Sequence, residues 1–145
     1  MALRFVSNSE NLIDYASLRT LVVDDIPGMR SALKMTLANF GVTRTDVAAN
    51  AQETIYRLSN GGYDLILADY NLGDGRDGQQ LLEELRHRGL IGLQTIYVMV
   101  TAESMYERVA ATAELAPDDY LLKPFNGEVL RNRLDVIMQR KMAFK

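Results

Sequence analysis

Five short apolar runs alternate along the chain with longer segments in which apolar residues recur at intervals of three and four. The runs span residues 20–24, 45–48, 65–68, 95–100 and 120–122. Runs that are almost continuously apolar are typical of parallel strands covered by helices on both faces. The segments between them have the length and periodicity of crossover helices. The alternation therefore predicts a doubly wound α/β sandwich with a five-stranded parallel sheet and five helices.

Glycine, proline and asparagine mark the ends of the predicted helices. The first helix begins near Pro27, which a first turn tolerates, and ends at Gly41. Asn126 is a suitable N-cap for the last helix. The remaining segments carry apolar residues at helical spacing, namely Ile55 and Leu58; Leu81, Leu82 and Leu85; Met105, Val109 and Ala113; and Leu130, Leu134 and Ile137. Because ligands of such sheets bind beyond the carboxyl ends of the strands, the residues that close the runs form the candidate site.

The chain has the length of a single domain, at 145 residues. We expect an N-terminal extension at residues 1–17 and one folded domain at residues 18–141. Residues 142–145 would be a C-terminal tail or the start of a linker to an absent output domain. The N-terminal residues contain no continuous apolar stretch for export or membrane anchoring, so a cytoplasmic location is expected.

Composition argues against several kinds of site and partner. The chain has no cysteine, which excludes disulfides, thiolate catalysis and Cys-ligated zinc. His87 alone cannot build a histidine metal site and is expected to be a solvated helix residue. The net charge of -3 and the absence of a basic footprint argue against direct binding to nucleic acid or to an anionic membrane.

Acidic residues, a hydroxyl and an ammonium group lie at the ends of four runs. Asp24 and Asp25 close the first, Asp69 the third, Thr101 the fourth and Lys123 the fifth. Two like charges about 4 Å apart cost roughly 4 kcal/mol at an effective dielectric near 20, so three adjacent carboxylates need a cation or a proton. Oxygen ligands without His or Cys favour Mg²⁺ or Mn²⁺. A carboxylate in such a site can attack phosphorus, so the pattern predicts a phosphoryl and metal site.

The order of these residues resembles the receiver domain of two-component response regulators, in the CheY-like superfamily, over about residues 18–138. The interval from Asp25 to Asp69 and the interval from Thr101 to Lys123 both fit that family. The resemblance implies a flavodoxin-like sheet with strand order 2-1-3-4-5. It also implies a cis peptide bond between Lys123 and Pro124.

The same resemblance implies how the carboxylates are used. Asp69 would be the phosphoacceptor. Asp25 and Asp69 would ligate Mg²⁺ (or Mn²⁺) together with the backbone carbonyl of Asn71. Asp24 would act mostly through metal-bound water.

Other residues would respond to the phosphoryl group. By the resemblance, Lys123 would neutralise it and Thr101 would form a hydrogen bond with it. Tyr120 would be a second switch residue that swings inward when Thr101 moves. Asn71 and Glu103 would flank the phosphoryl group and modulate its lifetime, with fairly quick autodephosphorylation as the hypothesis.

The implied function is a phosphoacceptor signalling module rather than an enzyme, with self-phosphorylation and autodephosphorylation as its own chemistry. The phosphohistidine of a sensor histidine kinase or a phosphotransfer protein would donate the phosphoryl group. Phosphorylation would then switch the surface made by the fourth predicted helix, strand five and the fifth predicted helix. That surface would control a downstream protein or a missing output domain, and could support a homodimer.

Two other functions remain open. One is an aspartate-nucleophile, Mg²⁺-dependent phosphohydrolase, which normally carries a second Asp two residues after its nucleophile. Ile26 follows Asp24 at that offset and Asn71 follows Asp69, so the general acid is missing. The other is a receiver-like interaction module that is never phosphorylated, although its acid, hydroxyl and lysine set is complete.

Residues 73–78 depart from the family pattern. They read Gly-Asp-Gly-Arg-Asp-Gly and match the dinucleotide-binding G-x-G-x-x-G motif. We reject that interpretation because Asp74 and Asp77 would face an anionic pyrophosphate. Gly73 stands where receivers usually have proline, four residues after the phosphoacceptor. We therefore expect a longer and more mobile loop beside the site.

Overall fold

The protein folds around one parallel sheet. The computed structural model describes residues 13–73, 75–102 and 115–142. The strands lie in the order β2-β1-β3-β4-β5, and all four pairings are parallel. They are Arg19–Val23 (β1), Arg44–Ala48 (β2), Leu65–Asp69 (β3), Ile96–Thr101 (β4) and Asp119–Leu122 (β5). The five predicted strands and the flavodoxin-like order are confirmed.

Four α-helices lie in the described part of the chain. They are Pro27–Asn39 (α1), Ala51–Ser59 (α2), Gly78–His87 (α3) and Gly127–Met142 (α4). The predicted helix around Met105, Val109 and Ala113 lies outside the described residues, so α4 corresponds to the fifth predicted helix. Among the residues that the structure describes, no helix is long and apolar enough to cross a membrane.

A proline and several side-chain hydrogen bonds mark where the helices begin. Pro27 occupies the start of α1. The Asn50 side chain accepts a hydrogen bond from the Glu53 amide at the start of α2, and Asp77 forms a capping box with Gln80 at the start of α3. The Asn126 side chain accepts from the Val129 amide at 2.9 Å, which confirms the predicted N-cap of the last helix.

Apolar side chains cover both faces of the sheet. One cluster joins alternate strand residues to α1 and α4 and includes Val22, Leu65, Leu67, Val98, Leu37 and Leu134. The other joins the intervening strand residues to α2 and α3 and includes Leu21, Ile66, Ala68, Tyr97, Leu58 and Leu82. Because successive strand residues point to opposite faces, the central strands β3 and β4 are buried at every position and are apolar at every position before their last residues. The two clusters therefore hold the strand ends rigidly along one edge.

The segment before β1 packs on the first and last helices. Tyr15–Ser17 forms a short 3-10 turn, and Tyr15 packs against the first cluster. The Tyr15 ring meets Phe40 edge to face, with centroids 5.4 Å apart. The Tyr15 hydroxyl donates a hydrogen bond to Asp135 on α4. Burial and the Asp135 carboxylate raise the pKa of Tyr15, so the hydroxyl remains a donor at neutral pH. The segment thus links α1 to α4.

We expect Tyr15→Phe to lower the free energy of unfolding by about 1 kcal/mol. The phenylalanine keeps the ring contact with Phe40 but cannot donate to Asp135. Thermal unfolding followed by circular dichroism should show a Tm lower by roughly 2–4 °C. Tyr56→Phe is the matched control, because Tyr56 is 70% exposed, and its Tm should equal that of the wild type. An unchanged Tm for Tyr15→Phe would show that this hydrogen bond does not secure the segment.

Candidate functional site

The parallel ladders bring the ends of four strands to one edge of the sheet. Asp69 is the last residue of β3 and Thr101 the last of β4. The pairing continues beyond β1 and β5, because the Asp24 amide donates to the Ala48 carbonyl at 3.1 Å and the Lys123 amide donates to the Thr101 carbonyl at 2.8 Å. Backbone hydrogen bonds therefore hold Asp24, Thr101 and Lys123 in place.

Three carboxylates meet at this edge. One oxygen each from Asp24, Asp25 and Asp69 can be chosen so that all three lie within 4.8 Å of one another. Asp24 is fully buried and Asp69 is 8% exposed, whereas Asp25 is exposed to solvent. The structure thus brings together the three carboxylates that the sequence identified as candidates.

Lys123 lies between the two buried carboxylates. Its Nζ atom is 3.4 Å from Asp24 Oδ2 and 3.6 Å from Asp69 Oδ2. In the described part of the chain, Lys123 is the lysine that pairs with this cluster of three carboxylates, which leaves the cluster with an excess of negative charge. The predicted cis bond between Lys123 and Pro124 is present.

Burial is the main influence on the Asp69 carboxyl group. It raises the pKa of Asp69, and the neighbouring Asp24 charge acts in the same direction. The Lys123 ammonium and a hydrogen bond from the Asn71 amide oppose that change without cancelling it. Asp69 in the folded protein therefore holds a proton more tightly than a solvated aspartate does.

Asp24 is held by contacts that the sequence did not predict. Its Oδ1 atom accepts a hydrogen bond from the Ile26 amide at 2.9 Å. The Arg30 side chain donates to its backbone carbonyl at 2.7 Å. The only sequence signal for the second contact was the position of Arg30 in the first turns of α1, which is the helix that follows the site.

The donor set fits a hard divalent cation. Among the residues that the structure describes, the cluster offers carboxylate oxygens and includes neither sulfur nor imidazole. Magnesium is usually bound by one or two carboxylates together with water. Asp24 already uses Oδ1 to accept from Ile26 and directs Oδ2 towards Lys123, which suits contact with a cation through water rather than directly.

The remaining candidates occupy different positions around the cluster. Thr101 is 2% exposed. Tyr120 is half-buried against the second apolar cluster. Burial is the main cause that raises the pKa of Tyr120, and the nearby Tyr70 raises it further. Asn71 is exposed in the loop after β3, and its amide bonds to Asp69. Glu103 lies outside the described residues.

The final glycine of the G-x-G-x-x-G motif serves close packing. A Cβ atom at Gly78 would lie 2.6 Å from the Asp69 carbonyl oxygen and 2.5 Å from Met99 Sδ. The Gly78 amide donates to the Tyr70 carbonyl at 2.7 Å, and Asn71 pairs with Asp77 across the loop. These contacts pack the start of α3 against the end of β3. The mobility expected for this loop stays a prediction.

A parallel sheet of this order, with acid, hydroxyl and lysine at its carboxyl edge, defines a CheY-like phosphoacceptor domain of two-component signalling. Residues 20–135 match the family described as the response regulator receiver domain, and the chain belongs to that family. The resemblance inferred from the sequence is confirmed.

Curated relatives and solved structures agree with this assignment. The chain is 30% identical over 130 residues to chemotaxis protein CheY-3 of Vibrio cholerae, covering 86% of this chain and 94% of the relative. The structure of Vibrio cholerae CheY4 has a TM-score of 0.72 and 25% identity, covering 83% and 98%. The structure of TrrA from Thermotoga maritima in complex with Mg²⁺-BeF has a TM-score of 0.70 and 30% identity, with the same coverage.

We expect Asp69→Asn to raise Tm in EDTA at neutral pH, because it removes a buried charge from a repulsive cluster. The folded pKa of Asp69 is raised, so the ionised side chain costs stability above that pKa. As the pH falls through the raised pKa towards the unfolded value of about 3.9, the difference between variant and wild type should shrink.

The matched control is Asp119→Asn, which removes a carboxylate from an ion pair with Arg133. It should lower Tm slightly or leave it unchanged. A decrease in Tm for Asp69→Asn at neutral pH would contradict the proposed electrostatics of the cluster.

Proposed function

We propose that Asp69 accepts a phosphoryl group from the phosphohistidine of a sensor histidine kinase or phosphotransfer protein in the cytoplasm. The observation that carries this proposal is the position of the Asp69 carboxylate beside Lys123, with Asp24 and Asp25 within 4.8 Å. In the reaction, an Asp69 oxygen forms a bond to phosphorus while the bond from phosphorus to the histidine nitrogen breaks. The electron pair of the broken bond returns to the imidazole.

Burial and existing contacts favour Asp69 over its two neighbours as the nucleophile. Asp24 is fully buried, and its two oxygens face the Ile26 amide and Lys123. Asp25 is exposed, whereas the Lys123 ammonium of the site lies beside the other two carboxylates. Asp69 retains 8% exposure, whereas Asp24 has none, and an ammonium group lies 3.6 Å from its carboxylate, where charge on a bound phosphoryl group would need compensation.

The remaining ligands suit Mg²⁺, or Mn²⁺ in its place. Asp25, Asp69 and the backbone carbonyl of Asn71 would hold the ion directly, and Asp24 would contact it through water. When bound, the ion offsets the negative charge spread over the phosphoryl oxygens. The excess negative charge of the cluster supports this role, since it attracts a cation before any phosphoryl group arrives.

The same site is suited to act as a switch. A phosphoryl group adds roughly -1.5 to -2 charges, and the buried Thr101 hydroxyl would bond to it. Thr101 on β4 pairs with Leu122 on β5, two residues after Tyr120, so a change at Thr101 can reach Tyr120 through the β4–β5 pairing. We propose that the fourth predicted helix, β5 and α4 form the surface that a downstream protein, an output domain or a second copy contacts. Asn71 and Glu103 would set the phosphoryl lifetime.

Phosphorylation must supply a large free-energy difference between the two states to operate this switch alone. Moving a two-state equilibrium from 1:99 to 99:1 takes about 5.5 kcal/mol of differential stabilisation. A partner that binds the phosphorylated form can supply part of it. The described part of the surface is suited to a partner, because Leu122 and Val129 are 41% and 39% exposed.

We expect acetyl phosphate with Mg²⁺ to label the wild-type chain and not Asp69→Asn. The asparagine lacks the nucleophilic oxygen, so labelling detected by Phos-tag electrophoresis should be lost. Asp119→Asn should be labelled like the wild type, and EDTA should abolish labelling in both. Equal labelling of Asp69→Asn and wild type would rule out the assignment.

We expect beryllofluoride with Mg²⁺ to shift the backbone amide resonances of β5 and α4 in the wild type. Thr101→Val keeps the shape of the buried side chain but removes its hydroxyl. This variant should retain the shifts around Asp69 and lose most of those on β5 and α4, measured by ¹H–¹⁵N correlation spectra. If the distant shifts persist in Thr101→Val, the hydroxyl does not transmit the signal.

A further inference from the structure

The loop after β3 passes against the Asp25 side chain. Gly73 adopts a φ of +78°, and a Cβ atom placed on it would lie 2.7 Å from Asp25 Oδ2 and 3.6 Å from Asp25 Cγ. A carbon and an oxygen that are not bonded do not approach so closely. The Asp25 carboxylate therefore occupies space that exists only because residue 73 has no side chain.

We propose that Gly73 is a positioning residue for the divalent-cation site, an inference that rests on the proposed function. By leaving that space open, Gly73 allows the Asp25 carboxylate to remain within 4.8 Å of those of Asp24 and Asp69. Any side chain at position 73 displaces Asp25 and removes one oxygen from the cluster. The affinity for the cation then falls.

Asp25 is the carboxylate that yields to such a side chain. Asp24 is buried and bonded to the Ile26 amide, and Asp69 is buried beside Lys123. Asp25 is exposed, and the atom that a Cβ at position 73 meets is the far end of its flexible side chain. Rotation of that side chain relieves the contact without moving the backbone. A substitution at Gly73 is therefore expected to weaken cation binding rather than to disrupt the fold.

Gly75 provides a matched comparison within the same loop. It has a φ of +89°, close to that of Gly73, but a Cβ atom at Gly75 meets nothing within 4 Å. Alanine at either position must adopt a left-handed backbone conformation, so both substitutions carry the same kind of backbone strain. Only alanine at position 73 also contacts Asp25. The difference between the two variants isolates that contact.

The backbone conformation at residue 73 explains why glycine stands here in place of the usual proline. Receivers usually have proline at the position of Gly73, but a proline ring fixes φ near −65° and cannot adopt +78°. The loop of this chain therefore follows a path that proline could not follow. The path brings the backbone at residue 73 against one of the proposed cation ligands.

The test measures Mg²⁺ and Mn²⁺ affinity of the full chain by isothermal titration calorimetry, together with Tm in EDTA. Gly73→Ala and Gly75→Ala are expected to lower Tm by similar amounts. Gly73→Ala is expected to weaken cation binding by about tenfold, in the range seen when residues that orient metal ligands are changed. Gly75→Ala is expected to bind the cations like the wild type.

The other outcomes separate the role of Gly73 from the proposed function. A wild type that binds Mg²⁺ while Gly73→Ala and Gly75→Ala have equal affinity overturns the role of Gly73 and leaves the proposed function intact. Failure of Gly73→Ala to fold while Gly75→Ala folds also overturns it, because the contact would then act on the fold. A wild type that binds neither Mg²⁺ nor Mn²⁺ overturns the proposed function itself.

Discussion

Repulsion among three carboxylates at one edge of the sheet is the constraint on which the site depends. At about 4 Å, each pair of like charges costs roughly 4 kcal/mol at an effective dielectric near 20, and a solvated chain would separate them. Here Asp24 and Asp69 are buried at strand ends, and Lys123 compensates only part of their charge. The remaining negative charge supports the proposed binding of a divalent cation and the proposed role of Asp69 as nucleophile.

The fold provides the rigidity that this arrangement needs. Apolar clusters on both faces hold the strands, and backbone hydrogen bonds beyond β1 and β5 extend that order to Asp24 and Lys123. The close packing at Gly78 fixes the start of α3 against the end of β3. Asp25, by contrast, is exposed, and the loop at Gly73 limits where it can lie. The residues at the strand ends are therefore held by the fold and also form the proposed site.

The fold was predictable from the sequence because strands that are buried on both faces have nearly continuous apolar sequences. The runs around Leu67 and Val98 are apolar at almost every position for that reason. The sequence also predicted which charged side chains meet, since parallel strands end at the same edge. It did not predict the bond from Arg30 to Asp24, the contact of Tyr15 with Asp135 or the approach of Gly73 to Asp25. Those contacts depend on side-chain and loop geometry, which periodicity does not encode.

The position of the phosphoryl group shows directly whether Asp69 is the acceptor. Borohydride reduces an aspartyl phosphate to homoserine, and peptide mapping by mass spectrometry then identifies the modified residue. After treatment of the wild-type chain with acetyl phosphate and Mg²⁺, we expect homoserine at position 69 alone. Homoserine at position 24 or 25, or a phosphate that resists reduction on Thr101, would contradict it.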